Sequence, residues 1–379
     1  MSRLRFVDRP DALEAACSEL MGASRFYLDT EFESSREGTR LSLIQVSRGE
    51  DVFVIDALAL RELEALGVVL AEDAEWVLHS GGQDVPLLLD AFGLEAPPRI
   101  FDVQVGWAFT SAEHSVSLAY LAYVALGKRT AKAHQADDWM RRPLPQRQLD
   151  YAAEDVKPLP ALRERVLARA ESLGRAEFIH DACREVVWPE REPPSPLAVE
   201  SFRNAWQLEP KSQAALRFVV EWFNALTLEE REAVPDSKVL FSIASRCPEN
   251  LDELGRIRGV HRRFLNHQGA PFVADLARAV DGAKASDFVP IEPAPYATFD
   301  EIRADGWLAA LRAEVCHAAQ MAPELALPSR VLRGFRSALL QRASDPPKLG
   351  ALLEGWRRAV LAETVDRIAN QLPPLTSAR

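Results

Sequence analysis

The sequence predicts an α/β domain followed by two all-helical domains. Three observations carry this. At about 100–200 residues per domain, a chain of 379 residues is too long for one ordinary core. Two proline-rich stretches, Trp188–Pro196 (WPEREPPSP) and Val289–Pro295 (VPIEPAP), punctuate it. Proline fixes φ and removes an amide donor, so neither stretch is helix or inner strand, and both read as semi-rigid linkers. Before the first linker, short β-rich runs alternate with helical patterns; after it, only helical patterns follow. The division this gives is 1–188 for the α/β domain, 189–205 and 286–295 for the linkers, and 206–285 and 296–379 for the helical domains.

In order along the chain, Phe26–Phe32 (FYLDTEF), Leu41–Ser47 (LSLIQVS) and Val52–Ile55 are short β-rich runs separated by the turn-prone Gly38 and Gly49. They predict a three-strand antiparallel start. Arg61–Leu70 reads as a helix and Trp76–His79 as a strand ending at Ser80-Gly81-Gly82. Asp84–Phe92 places Val85, Leu88, Leu89 and Phe92 at helical spacing, and Ile100–Phe101 enters another extended piece. From Ser117 to the linker the pattern is helical. In the second block Ala214–Leu226, Ser237–Ala244 and Phe272–Val280 are predicted helices; in the last, Trp307–Ala318, Ser329–Ala343 and Leu349–Ile368.

Composition excludes several classes. The hydrophobic fraction of 47% and charged fraction of 27% are those of an ordinary globular protein. The four cysteines lie far apart with no CxxC pair, which argues against structural zinc and a disulfide framework. No apolar run reaches the length of a membrane span, and the charged N-terminus lacks a signal-peptide core, so a cytoplasmic location is expected. The net charge of −11 on average counts against a polyanion partner, which leaves the question to local patches.

Asp29 and Glu31 sit two apart in an otherwise apolar strand, so both project from one face. Their like charges repel, and burial of either alone is costly. An edge strand with a solvated face would explain them; a bound divalent cation explains them together with the apolar neighbours Phe26, Leu28 and Phe32. Asp84 opens a helix, where a carboxylate also complements the dipole. Tyr151 and Asp155, in YAAED, lie one helical turn apart on one face. Each fragment alone has a bland explanation. Together they supply the oxygen ligands that two divalent cations need, about 4 Å apart, to stabilise the attacking and leaving oxygens of a phosphodiester displacement. Asp102 reads as a helix cap, with support of the metal site as the alternative. His79 reads as a satisfied buried histidine, and Gln45, in an apolar strand, needs a hydrogen-bond partner and can brace the sheet.

These segments resemble the DEDD exonuclease superfamily in its tyrosine subclass, and within it the ribonuclease D family. YLDTEF running into LSLIQVS is similar to the first motif of that family. VLHSGGQDVPLL followed by IFDVQVGWAF is similar to the second, and SVSLAYLA with DDWMRRPLPQRQLDYAAEDVKPL to the third. The histidine subclass would need His five residues before the last Asp; position 150 is Asp, and Tyr151 takes the role. The resemblance covers nearly all of residues 20–170. It implies a ribonuclease-H-like exonuclease domain with a mixed sheet flanked by helices. It also implies hydrolysis from the 3′ end of RNA with release of 5′-mononucleotides, dependent on two divalent ions, Mg²⁺ or Mn²⁺. Asp29 would bridge the two ions, Glu31 and Asp155 would hold the one carrying the attacking water, Asp84 would serve the second, and Tyr151 would orient the water. RNA with a free 3′ end, tRNA precursors in particular, is the implied partner; no membrane and no obligate protein partner are implied. A 3′–5′ DNA exonuclease and a catalytically silent RNA-binding scaffold are the rival readings. His114-Ser115 and the segment around Lys132 depart from the family pattern.

The second block resembles the HRDC domain through LRFVVEWFNAL, PDSKVLFSIASRCPENLDELGRIRGV and RRFLNHQGAPFVADLARAV, and the last block resembles it more weakly as a second copy. Arg256, Arg258, Arg262 and Arg263 place four arginines within eight residues of an acidic protein. They are candidate phosphate contacts, as are Gln83, Lys132, Arg141 and Arg142; a solvated basic surface is the alternative.

Overall fold

A computed structural model describes residues 3–35, 38–60, 62–71, 73–129, 138–189, 196–231, 233–284, 291–293, 295–341 and 348–373. The chain forms two compact units, Met1–Glu190 with Phe299–Arg379, and Arg191–Thr298.

The first unit is built on a six-stranded mixed sheet. Its strands are β1 (Leu4–Val7), β2 (Arg25–Ser35), β3 (Gly38–Ser47), β4 (Val52–Asp56), β5 (Glu75–Leu78) and β6 (Arg99–Asp102). Their spatial order is β1-β4-β3-β2-β5-β6. β2, β3 and β4 pair antiparallel as the sequence predicts, whereas β1–β4, β2–β5 and β5–β6 are parallel. β1 and the helix after it, α1 (Pro10–Leu20), were not anticipated. Four residues, LRFV, are too few to show a period, and an edge strand tolerates Arg5. Most apolar residues of β2 to β4 are buried, Phe26, Leu28, Leu43, Ile44, Val54 and Ile55 completely, because helices cover both faces.

The remaining helices of this block are α2 (Glu64–Ala71), α3 (Asp84–Phe92), α4 (Val103–Thr110), α5 (Leu118–Leu126), α6 (Gln146–Val156), α7 (Leu159–Ser172) and α8 (Ile179–Val187). α6 packs across β1 to β4 and so brings its own residues over β2. β5 is anchored by Glu75, whose buried carboxylate accepts from Arg163, Arg25 and His180. Those donors hold its pKa well below the ordinary carboxylate value despite the opposing effect of burial, the largest single influence.

The chain entering α6 is fixed by Arg142. Its guanidinium grips the buried Asp56 with two bonds of 2.6 and 2.7 Å and donates to the carbonyls of Trp139 and Arg141 and the hydroxyl of Ser42. Ser42 in turn donates to the Trp139 carbonyl at 2.5 Å. Arg142, a candidate phosphate contact from sequence, is therefore turned inward with its donors engaged. Arg142→Met is expected to lower stability by about 3 kcal/mol, because it leaves Asp56 charged and buried without its partner. Urea unfolding checks this; an unchanged midpoint would show that the pair contributes nothing.

The last block belongs to the same unit. Its helices are Phe299–Ala319, Pro323–Ala326, Ser329–Leu340 and Gly355–Gln371. Leu308, Leu311, Val315, Leu361 and Val365 share one continuous core with the sheet domain. Phe109 of α4 meets Trp356 edge-on at 5.3 Å, and the Ala322 amide donates to the Ala108 carbonyl at 2.9 Å. The single helix predicted over Leu349–Ile368 is corrected. Leu349–Leu352 is a 3-10 turn, and the helix begins at Gly355, whose φ of +52° lies in the left-handed region that interrupts a right-handed helix.

Among the described residues the second unit is all-helical, with main helices Pro210–Ala225, Ser237–Arg246 and Ala270–Asp281. Trp222, Phe264 and Phe272 form an edge-to-face cluster at its centre. Gly259 has a φ of +97°, and a Cβ there would lie 2.4 Å from Val239 Cγ2, so the turn after Arg258 requires glycine. Arg256, Arg258, Arg262 and Arg263 are exposed around that turn.

Candidate active site

β2 presents Asp29 and Glu31 from one face, opposite Gln45 and Leu43 of β3. α6 brings Asp155 over that face. Carboxylate oxygens of Asp29, Glu31 and Asp155 all lie within 4.8 Å of one another. Asp84, the first residue of α3, is buried, and its Oδ1 accepts a hydrogen bond from the Thr30 hydroxyl. Tyr151 stands one helical turn before Asp155; its hydroxyl is hydrogen-bonded to that carboxylate, and its ring lies 6.1 Å from that of Trp139.

Four carboxyl groups at such range cannot all ionise freely. Asp29 is pushed well above the ordinary carboxylate value, by burial first and then by the charges of Asp84, Asp155 and Glu31. Glu31 is pushed up to about 8 by burial, with Asp155 and Asp84 adding to it. Asp84 and Asp155 are each raised to about 6, chiefly by burial, with the bonds from Thr30 and Tyr151 opposing. Burial and the neighbouring carboxylates also raise the Tyr151 phenol, which therefore stays protonated.

The donor set fits a divalent cation. All its ligand atoms are carboxylate oxygens, the preference of hard ions such as Mg²⁺ and Mn²⁺, and a cation removes the repulsion that raises these pKa values. A consequence is measurable. These carboxyls bind protons more tightly in the folded than in the unfolded chain, so the stability they contribute is full below their unfolded pKa of about 4. It is lost as pH rises through about 6 and then about 8. The Tm in chelator is expected to fall from about pH 5.5 to about pH 8.5, and Mn²⁺ is expected to restore it at the upper end. A Tm independent of both pH and Mn²⁺ would show that the carboxyls are not electrostatically crowded.

The surrounding residues fall into three groups. Asp102 caps α4 as its sequence context suggests, accepting from the amides of Gln104 and Val105 at 2.8 and 3.1 Å. It also accepts from Gly81 N at 2.8 Å and so fixes the turn that launches Asp84. His79 bonds the Val116 carbonyl at 2.9 Å, and burial lowers its pKa. Gln83 and Arg141 are exposed, and Lys132 lies outside the described residues. Thr30 and Trp139 were not singled out in the sequence. Thr30 stood in plain view between the two acids, whereas Trp139 is placed by a long-range bond to Ser42 that no local pattern announces.

A sheet carrying an acidic pair, a helix-opening aspartate and a tyrosine–aspartate turn can together hold a divalent cation beside a phosphodiester, which is the chemistry of a nuclease. Comparison with known proteins agrees. A family model described as 3′–5′ exonuclease matches residues 4–168. Ribonuclease D of Xanthomonas oryzae pv. oryzae is 31% identical over 363 residues, covering 94% of this chain and 94% of that protein. Ribonuclease D of Escherichia coli K12 is 27% identical over 384 residues, 97% of this chain and 99% of that one. The crystal structure of Escherichia coli RNase D, described as an exoribonuclease involved in structured RNA processing, superposes with a TM-score of 0.71 at 25% identity, covering 99% of this chain and all of that one. The chain belongs to the ribonuclease D family, and its enzyme class is that of a 3′–5′ exoribonuclease. Among the described residues, no helix is long and apolar enough to cross a membrane.

Proposed function

We propose that the enzyme removes nucleotides from the 3′ end of structured RNA, tRNA precursors in particular, by a two-metal-ion hydrolysis that releases 5′-mononucleotides. The observation that carries this is the meeting of Asp29, Glu31 and Asp155 within 4.8 Å, with Tyr151 bonded to the last of them. Bound Mg²⁺ or Mn²⁺ would neutralise the scissile phosphate and lower the pKa of the attacking water. The chain's own residues do the rest. Asp29, Glu31 and Asp155 would hold one ion, and Asp84, whose carboxylate accepts from Thr30, would serve a second together with Asp29. Tyr151, protonated and backed by Trp139, aligns the water through its hydroxyl. The turn at Gly259, with its exposed arginines, supports an HRDC-type assignment of the second unit and a role in holding RNA phosphate. The last block is read as a second HRDC-like domain on its length and helix order.

The test is incubation with 3′-extended tRNA, single-stranded RNA and single-stranded DNA of matched sequence, with and without Mg²⁺ or Mn²⁺. Metal-dependent shortening of the RNAs to 5′-mononucleotides is expected, fastest on the extended tRNA. A circularised RNA should survive intact, since it offers no 3′ end. Cutting of the circle would overturn the exonuclease assignment, and preference for DNA would overturn the substrate.

A further inference from the structure

Gln45 lies on the central strand β3, directly between Asp29 of β2 and Val54 of β4. It is fully buried, and neither its Oε1 nor its Nε2 has a hydrogen-bond partner among the described residues. Leaving a buried polar group unpaired is destabilising, a cost that an apolar residue of the same size avoids. Bracing the sheet is therefore not what the carboxamide does, since it bonds to nothing in it. Residues directly opposite in a ladder share a face, with Cβ atoms about 5 Å apart. The polar side chain that the register places against Gln45 is thus Asp29. The Gln45 amide carries two N–H donors and the carboxylate only acceptors, so the pair is chemically matched.

We propose that Gln45 is a positioning residue for the metal site: its Nε2–H donates to the Asp29 carboxylate when a divalent cation has drawn that carboxylate into its ligating orientation. The inference rests on the metal-site assignment above. Gln45 touches neither the cation nor the RNA; it acts by limiting the orientations of a ligand that serves both ions. Loss of such a supporting bond typically weakens metal affinity or activity by about 10- to 100-fold.

The test is the near-isosteric Gln45→Met, with Gln45→Leu as a second variant should the first fold poorly. Two measurements are made on the full chain beside wild type: calorimetric titration with Mn²⁺, and Tm in chelator. Mn²⁺ affinity is expected to fall by about 10- to 100-fold. The metal-free Tm is expected to stay level or rise, because an unpaired buried amide has been removed. A sheet-bracing role would move both the other way: the Tm would drop and the affinity of the folded fraction would hold. Wild-type Mn²⁺ affinity in a stably folded variant would overturn the proposal while leaving the metal site intact. Failure of wild type itself to bind Mn²⁺ would overturn both.

Discussion

Asp29→Asn is expected to lower turnover by about 10³-fold or more while leaving the metal-free protein at least as stable as wild type. The two effects have one origin. Asp29 is half-buried and faces three further carboxyls, so ionising it is opposed by desolvation and by the charges of Asp84, Asp155 and Glu31. That opposition is tolerable only if a cation is to be bound. Asparagine keeps the shape and removes the charge. It relieves the repulsion in chelator and removes the ligand that would serve both ions in the loaded enzyme. Single-turnover cleavage of a 3′-extended RNA and a thermal melt in chelator near pH 8 read the two effects separately. Activity within tenfold of wild type would sink the assignment of Asp29. A large fall in metal-free Tm would show that the carboxylate has a structural partner instead.

Much of this site was legible in the sequence because its parts are local. The period of a strand places Asp29 with Glu31, the period of a helix places Tyr151 with Asp155, and α3 begins at Asp84 as its apolar spacing predicts. What the sequence could not show is long-range. The Arg142–Asp56 pair spans 86 positions, and the Ser42–Trp139 bond spans 97. Both depend on α6 folding back across the sheet. β1 was missed because four residues give no period, and the helical break at Gly355 because an isolated glycine in an apolar pattern is compatible with a continuous helix. The last block is the sharpest case. A proline-rich stretch separates it in sequence, yet its apolar stripes pack on α4 and α8 and join the core of the sheet domain. Linker composition reports where a chain is stiff and says nothing of where the next block docks.

Tyr151→Phe separates orientation from ligation. A neutral phenol is a poor ligand for Mg²⁺ beside carboxylate oxygen. Burial, followed by the charges of Asp155 and Glu31, raises the phenol further, so it stays a neutral hydroxyl and is no general base at working pH. What remains for it is geometry: bonded to Asp155 and packed beside Trp139, the hydroxyl is held at a fixed point above the carboxylates. Phenylalanine keeps the ring and its contact with Trp139 and deletes only that hydroxyl. The expected result is a kcat lowered by about 10- to 1000-fold, the range of one well-placed polar group, with KM and Mn²⁺ affinity little changed. Asp155→Asn, one turn away, is expected to weaken Mn²⁺ binding directly, since Asp155 shares the cluster with Asp29 and Glu31. Calorimetric titration of both variants beside single-turnover kinetics distinguishes them. Wild-type cleavage by Tyr151→Phe would make the tyrosine a packing residue only. Loss of metal by the same variant would mean that the hydroxyl, through its bond to Asp155, sets the ligand rather than the water.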